Sequence, residues 1–150
     1  MGAAIAQAVD DLHARAVACE AVLEKVLTLR SRIVGSRLVG EGAVRVPHIA
    51  TFLFEDVEAE TLLFALDLAG VAASSGAACS SGSLEPSHVL LALGLGKDEA
   101  RSALRLSWGG TTSAGEVERL LNALPAAVER NRSARRSGPR RGGKGAGSWT

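Results

Sequence analysis

Tyrosine is absent from this chain of 150 residues, and three Phe and two Trp are its only aromatic side chains. Ala, Leu, Val and Gly fill the space instead, a bias that marks a GC-rich genome rather than a function. There are only two cysteines, Cys19 and Cys79, which excludes a disulfide framework, and their spacing matches no zinc-ligand pattern. No apolar run reaches the ~20 residues of a membrane span, and the first residues lack the basic-then-apolar layout of a signal peptide. A net charge of +1 leaves the chain as a whole without an electrostatic case for nucleic acid or membrane surfaces. These absences describe a cytoplasmic protein in a reducing compartment, long enough for one core but not for two.

What is present centres on one stretch, Ser74-Ser75-Gly76-Ala77-Ala78-Cys79-Ser80-Ser81-Gly82-Ser83, running into Leu84-Glu85-Pro86-Ser87-His88-Val89-Leu90. Its small residues cannot pack a core, and loops of this kind are where reactive groups are displayed. Cys79 is therefore a candidate nucleophile, since a hydrated, mobile thiol is the reactive kind. Against that stands an ordinary loop cysteine: the nearest histidine, His88, has nothing to fix it within reach, and Pro86 is too distant for a helix dipole to be more than a contributor.

The rest of the chain reads as a succession of elements. Residues 3–30 carry Ile5, Val9, Leu12, Ala16, Cys19, Leu23, Val26 and Leu27 at helical spacing, predicting one helix of ~40 Å. Cys19 lies on that stripe as a buried, inert thiol, and His13 as a solvated residue. Residues 31–39 and 44–54 read as extended, the second apolar on both faces and so covered on two sides. His48, beside Pro47, is either a buried hydrogen-bonded histidine or a functional one. Asp56 or Glu58 opens a helix closed by Gly70. Residues 71–73 form a short strand, Pro86 takes the first position of the next helix, and Gly94 ends it. Residues 97–101 add a turn, and 102–107 a strand in which Arg105 points opposite to Leu104 and Leu106. Thr112 or Ser113 caps a last helix with the stripe Val117, Leu120, Leu121, Leu124 and Val128. Residues 131–150 are Arg- and Gly-rich with little apolar content, predicting a disordered basic tail that either is a solvated extension or holds nucleic acid weakly through phosphates.

This order predicts an α+β domain, a small and mostly antiparallel sheet with helices on one face. Residues 1–130 form the domain, with 1–30 as a long connecting helix, and 131–150 form the tail.

The seventeen residues from Ser74 to Leu90 resemble the active-site loop of the NifS/IscS-type cysteine desulfurases, pyridoxal-phosphate enzymes of the class V aminotransferase group. Arg45-Val46-Pro47-His48-Ile49-Ala50-Thr51-Phe52 resembles the strand before it, residues 60–70 the helix leading in, and Leu104-Arg105-Leu106-Ser107 the strand with the substrate-binding arginine. The resemblance covers about residues 3–130. It implies the C-terminal small domain of a fold-type I enzyme, in which pyridoxal phosphate serves as electron sink. Cys79 would take sulfur from L-cysteine as a persulfide, leaving L-alanine, and Arg105 would hold the substrate carboxylate. The glycine-rich loop would carry the sulfur to an acceptor or scaffold protein for iron–sulfur cluster assembly or thiolation. The resemblance also implies a homodimer in the complete form.

The departures carry equal weight. No Ser-x-His-Lys segment is present, and Lys25, Lys97 and Lys144 stand in a helix, a helix turn and the tail. The cofactor domain is missing, so no pyridoxal phosphate is expected on this chain alone, and turnover needs a partner domain or subunit. The stretch Trp108-Gly109-Gly110 falls where related sequences vary. Three functions compete: a desulfurase fragment or half-enzyme, a stand-alone persulfide carrier, and a non-catalytic remnant. A severed domain would also leave its connecting helix and a sheet face exposed and prone to self-association.

Overall fold

The computed structural model describes residues 2–75 and 86–137. Three helical segments open the chain: α1 (Gly2–Asp10), α2 (Leu12–Leu27) and α3 (Leu29–Arg32). They are nearly continuous. Asp11 and Thr28, which separate them, keep right-handed helical dihedrals, and Asp11 donates to the Gln7 carbonyl at 3.0 Å while accepting from Arg15 at 2.9 Å. The Thr28 hydroxyl bonds back to the Lys25 carbonyl at 2.6 Å, the kind of local competition that bends helices. The predicted long helix thus exists, in three pieces, and runs on to Arg32.

The sheet has three antiparallel strands in the order β1 (Ser36–Leu38), β2 (Ile49–Phe54) and β3 (Ala103–Ser107). Both early strands are shorter than the sequence predicts: residues 29–32 remain helical, and 40–48 are turns and irregular backbone up to Pro47. Pairing sets Ile49 opposite Ser107, Thr51 opposite Arg105 and Leu53 opposite Ala103. Because side chains alternate along a strand, these six share one face. Ala50, Phe52 and Phe54 share the other with Leu104 and Leu106.

That second set faces the main core. Phe52, Phe54, Leu104 and Leu106 pack with Val26, Leu29 and Ile33 of the opening helices, and with Leu62 and Leu66 of α4 (Ala59–Leu68). Leu120, Leu124 and Val128 of α7 (Ala114–Ser137) complete it. The rings of Phe52 and Phe54 stack at 6.1 Å. The opposite face is not bare. Leu53 and Ala103 are covered by Leu90 of α5 (His88–Ala92) and Ala100 of α6 (Lys97–Arg101), and Arg37 of β1 ties α6 down through Glu99 at 2.7 Å. The domain is α+β as expected. Its larger helices lie on one face, while α5 and α6 cover one end of the other.

Local chemistry accounts for the boundaries. α4 starts at Glu58 without a side-chain cap; Asp56 takes a left-handed backbone, φ 57°, which Asp tolerates better than most residues. Buried Val57 and Leu62 flank the start as a hydrophobic staple. The helix ends in a Schellman motif: Gly70, at φ 71°, donates to Asp67, and Val71 donates to Leu66, both at 2.9 Å. Gly94 closes α5 in the same way, as predicted. Pro86, by contrast, precedes Ser87, the N-cap of α5, and is not the first helical residue. The predicted strand over 71–73 is reduced to a single bridge, Ser74 with Arg105.

The final helix starts at Ser113, whose hydroxyl accepts from the Glu116 N–H at 3.3 Å while Glu116 accepts from the Ser113 N–H at 2.7 Å. It continues through Pro125, which cannot donate to Leu121 and would break an unsupported helix; fully buried Leu124 and Val128 on either side hold it in place. The predicted tail boundary at Asn131 falls inside this helix. Arg132, only 6% exposed, donates to the carbonyls of Glu55 at 3.0 Å and Val34 at 2.8 Å. With the Asn131 amide donating to the Glu58 carbonyl at 3.3 Å, these contacts make Asn131 and Arg132 part of the fold, and the helix runs on to Ser137 with exposed residues. Residues 138–150 lie outside the described residues.

Candidate functional site

Arg105 is the middle residue of β3, exposed on the sheet face it shares with Thr51 and Ile49, beyond the end that α5 and α6 cover. β3 is an edge strand, and Ser74 pairs with it at Arg105: the Arg105 N–H donates to the Ser74 carbonyl at 2.6 Å, and Ser74 returns the bond at 3.1 Å. The chain therefore leaves the sheet for the cysteine stretch directly beside the arginine. It returns at Ser87, which is buried, and enters α5, whose Leu90 packs on the same sheet face. Both anchors of the stretch thus stand on the Arg105 side of the sheet. Cys79 itself lies outside the described residues.

The remaining sequence candidates separate clearly. Cys19 is a free thiol, 5% exposed, on the core side of α2, which is the inert placement expected of it. His13, His48 and His88 are all exposed, so the buried reading of His48 does not hold; its backbone carbonyl accepts the Trp108 N–H at 3.1 Å. Among the described residues no group of three His, Cys, Asp or Glu could hold a metal ion, and no helix is long and apolar enough to cross a membrane.

Pyridoxal phosphate needs a lysine for its Schiff base and donors for its phosphate. Lys25 is exposed on α2 and Lys97 at the first residue of α6, while Lys144 lies outside the described residues. One surface cavity is lined by Leu27, Arg30, Ser31 and Ser36. A second lies between Gly35–Arg37, residues 53–55 and Ser102. Neither contains a lysine or Arg105. The described residues do not fit the cofactor.

Residues 5–120 match the Aminotransferase class-V family profile. The chain belongs to the class V aminotransferase family. It is 40% identical over 112 residues to the cysteine desulfurase IscS 1 of Archaeoglobus fulgidus, a match covering 75% of this chain and 28% of that protein. Over 124 residues it is 37% identical to the cysteine desulfurase of Gluconacetobacter diazotrophicus, covering 83% and 30%. The fold is shared with a NifS-like protein from Rickettsia africae at a TM-score of 0.69 and 22% identity, over 80% of this chain and 31% of that one. The chain thus spans under a third of the length of these curated relatives. In this family member, the alternation Leu104-Arg105-Leu106 gives the direction of the arginine side chain, and the resemblance alone singles it out as a site residue. Nothing in the sequence announced its bridge to Ser74, which depends on pairing across the strand edge.

Proposed function

We propose that this chain supplies two working groups of a cysteine desulfurase: Cys79 as the sulfur-accepting thiol and Arg105 as the holder of the substrate carboxylate. The bridge between Ser74 and Arg105 is the observation that carries this reading, because it roots the cysteine stretch beside the arginine. Cys79 is five residues on from Ser74, a reach of up to ~17 Å, enough for the thiol to approach a substrate held at Arg105. The high identity to cysteine desulfurases supports the substrate class.

Arg105 suits its role physically. Its guanidinium is permanently charged and can meet a carboxylate with two parallel hydrogen bonds, and its neighbours Thr51 and Ser107 leave it accessible. In net terms the Cys79 thiol gains one sulfur atom and L-cysteine becomes L-alanine, a balance that needs no external oxidant. The pyridoxal phosphate and its lysine come from a further domain or subunit, and a sulfur acceptor or scaffold protein then receives the persulfide sulfur.

The test is co-production of this chain with a lysine-bearing class V cofactor domain. Cys79→Ser is expected to abolish alanine formation, and Arg105→Lys to raise KM for cysteine about tenfold or more by losing one of two charge-assisted bonds. Undiminished sulfide release by the Cys79→Ser pair would end the proposal. A stand-alone persulfide carrier is the reading favoured by the misfit of the described lysines. In that case, Cys79 would accept sulfur from a persulfide donor with no cofactor domain present.

A further inference from the structure

The joint between the opening helix and the strand of Arg105 is made by a short turn that no catalytic reading has used. Trp108 follows β3 directly. Its backbone N–H donates to the His48 carbonyl at 3.1 Å, extending the β2–β3 pairing and fixing the residue to the sheet. Its indole Nε1–H donates to the Cys19 carbonyl of α2 at 3.1 Å, and the ring packs, half-buried, against the main core. Two residues on, Gly110 lies against the same helix: a Cβ there would stand 3.3 Å from Arg15 Cγ and 3.5 Å from Arg15 Cα. Arg15 and Cys19 are four residues apart, on one face of α2 and one turn from each other. The turn therefore grips one turn of the helix at two points.

The grip sits where the helix changes character. On its C-terminal side Cys19 and Val26 are buried; on its N-terminal side Ile5, Val9 and Leu12 are 60%, 66% and 66% exposed. From Arg15 to Gly2 the nearly continuous helix extends ~20 Å. A 10° change at the grip would displace its far end by about 3 Å, and misplacement of reacting groups by ~1 Å is enough to slow an enzyme a hundredfold.

We propose that Trp108 is a positioning residue: with Gly110, it sets the angle at which α1–α2 leaves the strand that carries Arg105. Its catalytic consequence rests on the desulfurase reading above. A body joined at the α1 end would meet substrate held by Arg105 only at the angle this joint fixes.

Two variants attack the joint differently. Trp108→Phe keeps the ring and loses the N–H, whereas Gly110→Leu wedges against Arg15. Spin labels at Gln7→Cys and Ser107→Cys, in the full chain carrying Cys19→Ala and Cys79→Ser, report the angle directly. One narrow distance distribution is expected for the parent, a broadened one for Trp108→Phe, and a shift of about 2 Å for Gly110→Leu, since Gln7 lies ~12 Å from the grip. Parent-like distributions in both variants would overturn the proposal. In the chain paired with a cofactor domain and retaining both cysteines, each variant should lower kcat at least about fivefold with KM for cysteine within about twofold, because Arg105 is untouched and only its alignment with the joined body changes. A rise in KM with kcat unchanged would also overturn it. A parent pair without desulfurase activity would count against the desulfurase reading alone, and the label distances would then decide the role of Trp108.

Discussion

Arg132 shows how much a single residue can decide in this domain. Its side chain reaches from the last helix to the backbone of two earlier segments, at Glu55 and Val34, and it also lies 3.4 Å from Glu129. Replacing it with Ala removes charged donors from both carbonyls and is expected to cost about 2–3 kcal/mol, read as a lower urea midpoint at unchanged slope. Ser113 and Glu116 offer a test at the other end of the same helix. The two hydrogen bonds from Ser113, backbone first, hold the Glu116 carboxyl below its ordinary pKa. A carboxyl lowered on folding contributes stability that is complete above its unfolded value and lost as pH falls through the folded one. The helix start should therefore fray as pH falls below the ordinary glutamate range, seen as loss of the Ser113 and Glu116 amide shifts. Glu116→Gln should remove that dependence, and Ser113→Ala should cost about 1 kcal/mol at neutral pH.

At the scale of elements, the helices were the most legible part of the sequence. The stripes through Cys19 and Val26 and through Val117 and Leu124 name the faces that are buried, because a 3.6-residue period survives whatever the partner is. Stops at Gly70 and Gly94 were legible because the left-handed backbone at each favours glycine. Gly70→Ala is accordingly expected to cost about 1 kcal/mol or more, with Arg119 Nη1 standing only 3.3 Å from the added carbon. Strand lengths were less legible, since β-branched and apolar runs such as 31–39 do not reveal where pairing stops. The end of α7 was hidden altogether: Asn131 and Arg132 look like the start of a polar tail, and only their partners seventy or more residues away make them structural. A chain ending at Ser137 should keep the thermal midpoint of the full chain, whereas one ending at Arg130 should melt several degrees lower.

For the whole molecule, the uncovered apolar stripe Ile5, Val9 and Leu12 predicts behaviour in solution. The isolated chain should self-associate through it, and replacing all three with Ser should shift sedimentation toward monomer; a clean monomer of the parent at high concentration would contradict this. The candidate site was half legible. Arg105 and the cysteine stretch could be singled out by pattern and resemblance, but the pairing that roots one beside the other joins residues far apart in sequence. That pairing has a second effect. β3 is an edge of the sheet, and an edge exposes unpaired amides on which a foreign strand can template. Ser74 occupies both edge-facing groups of Arg105, the central residue of the five-residue strand. Among the described residues only the two ends of β3 are left to an incoming strand, too short a ladder to hold. The contact that roots the cysteine stretch thus also guards the β3 edge against strand addition.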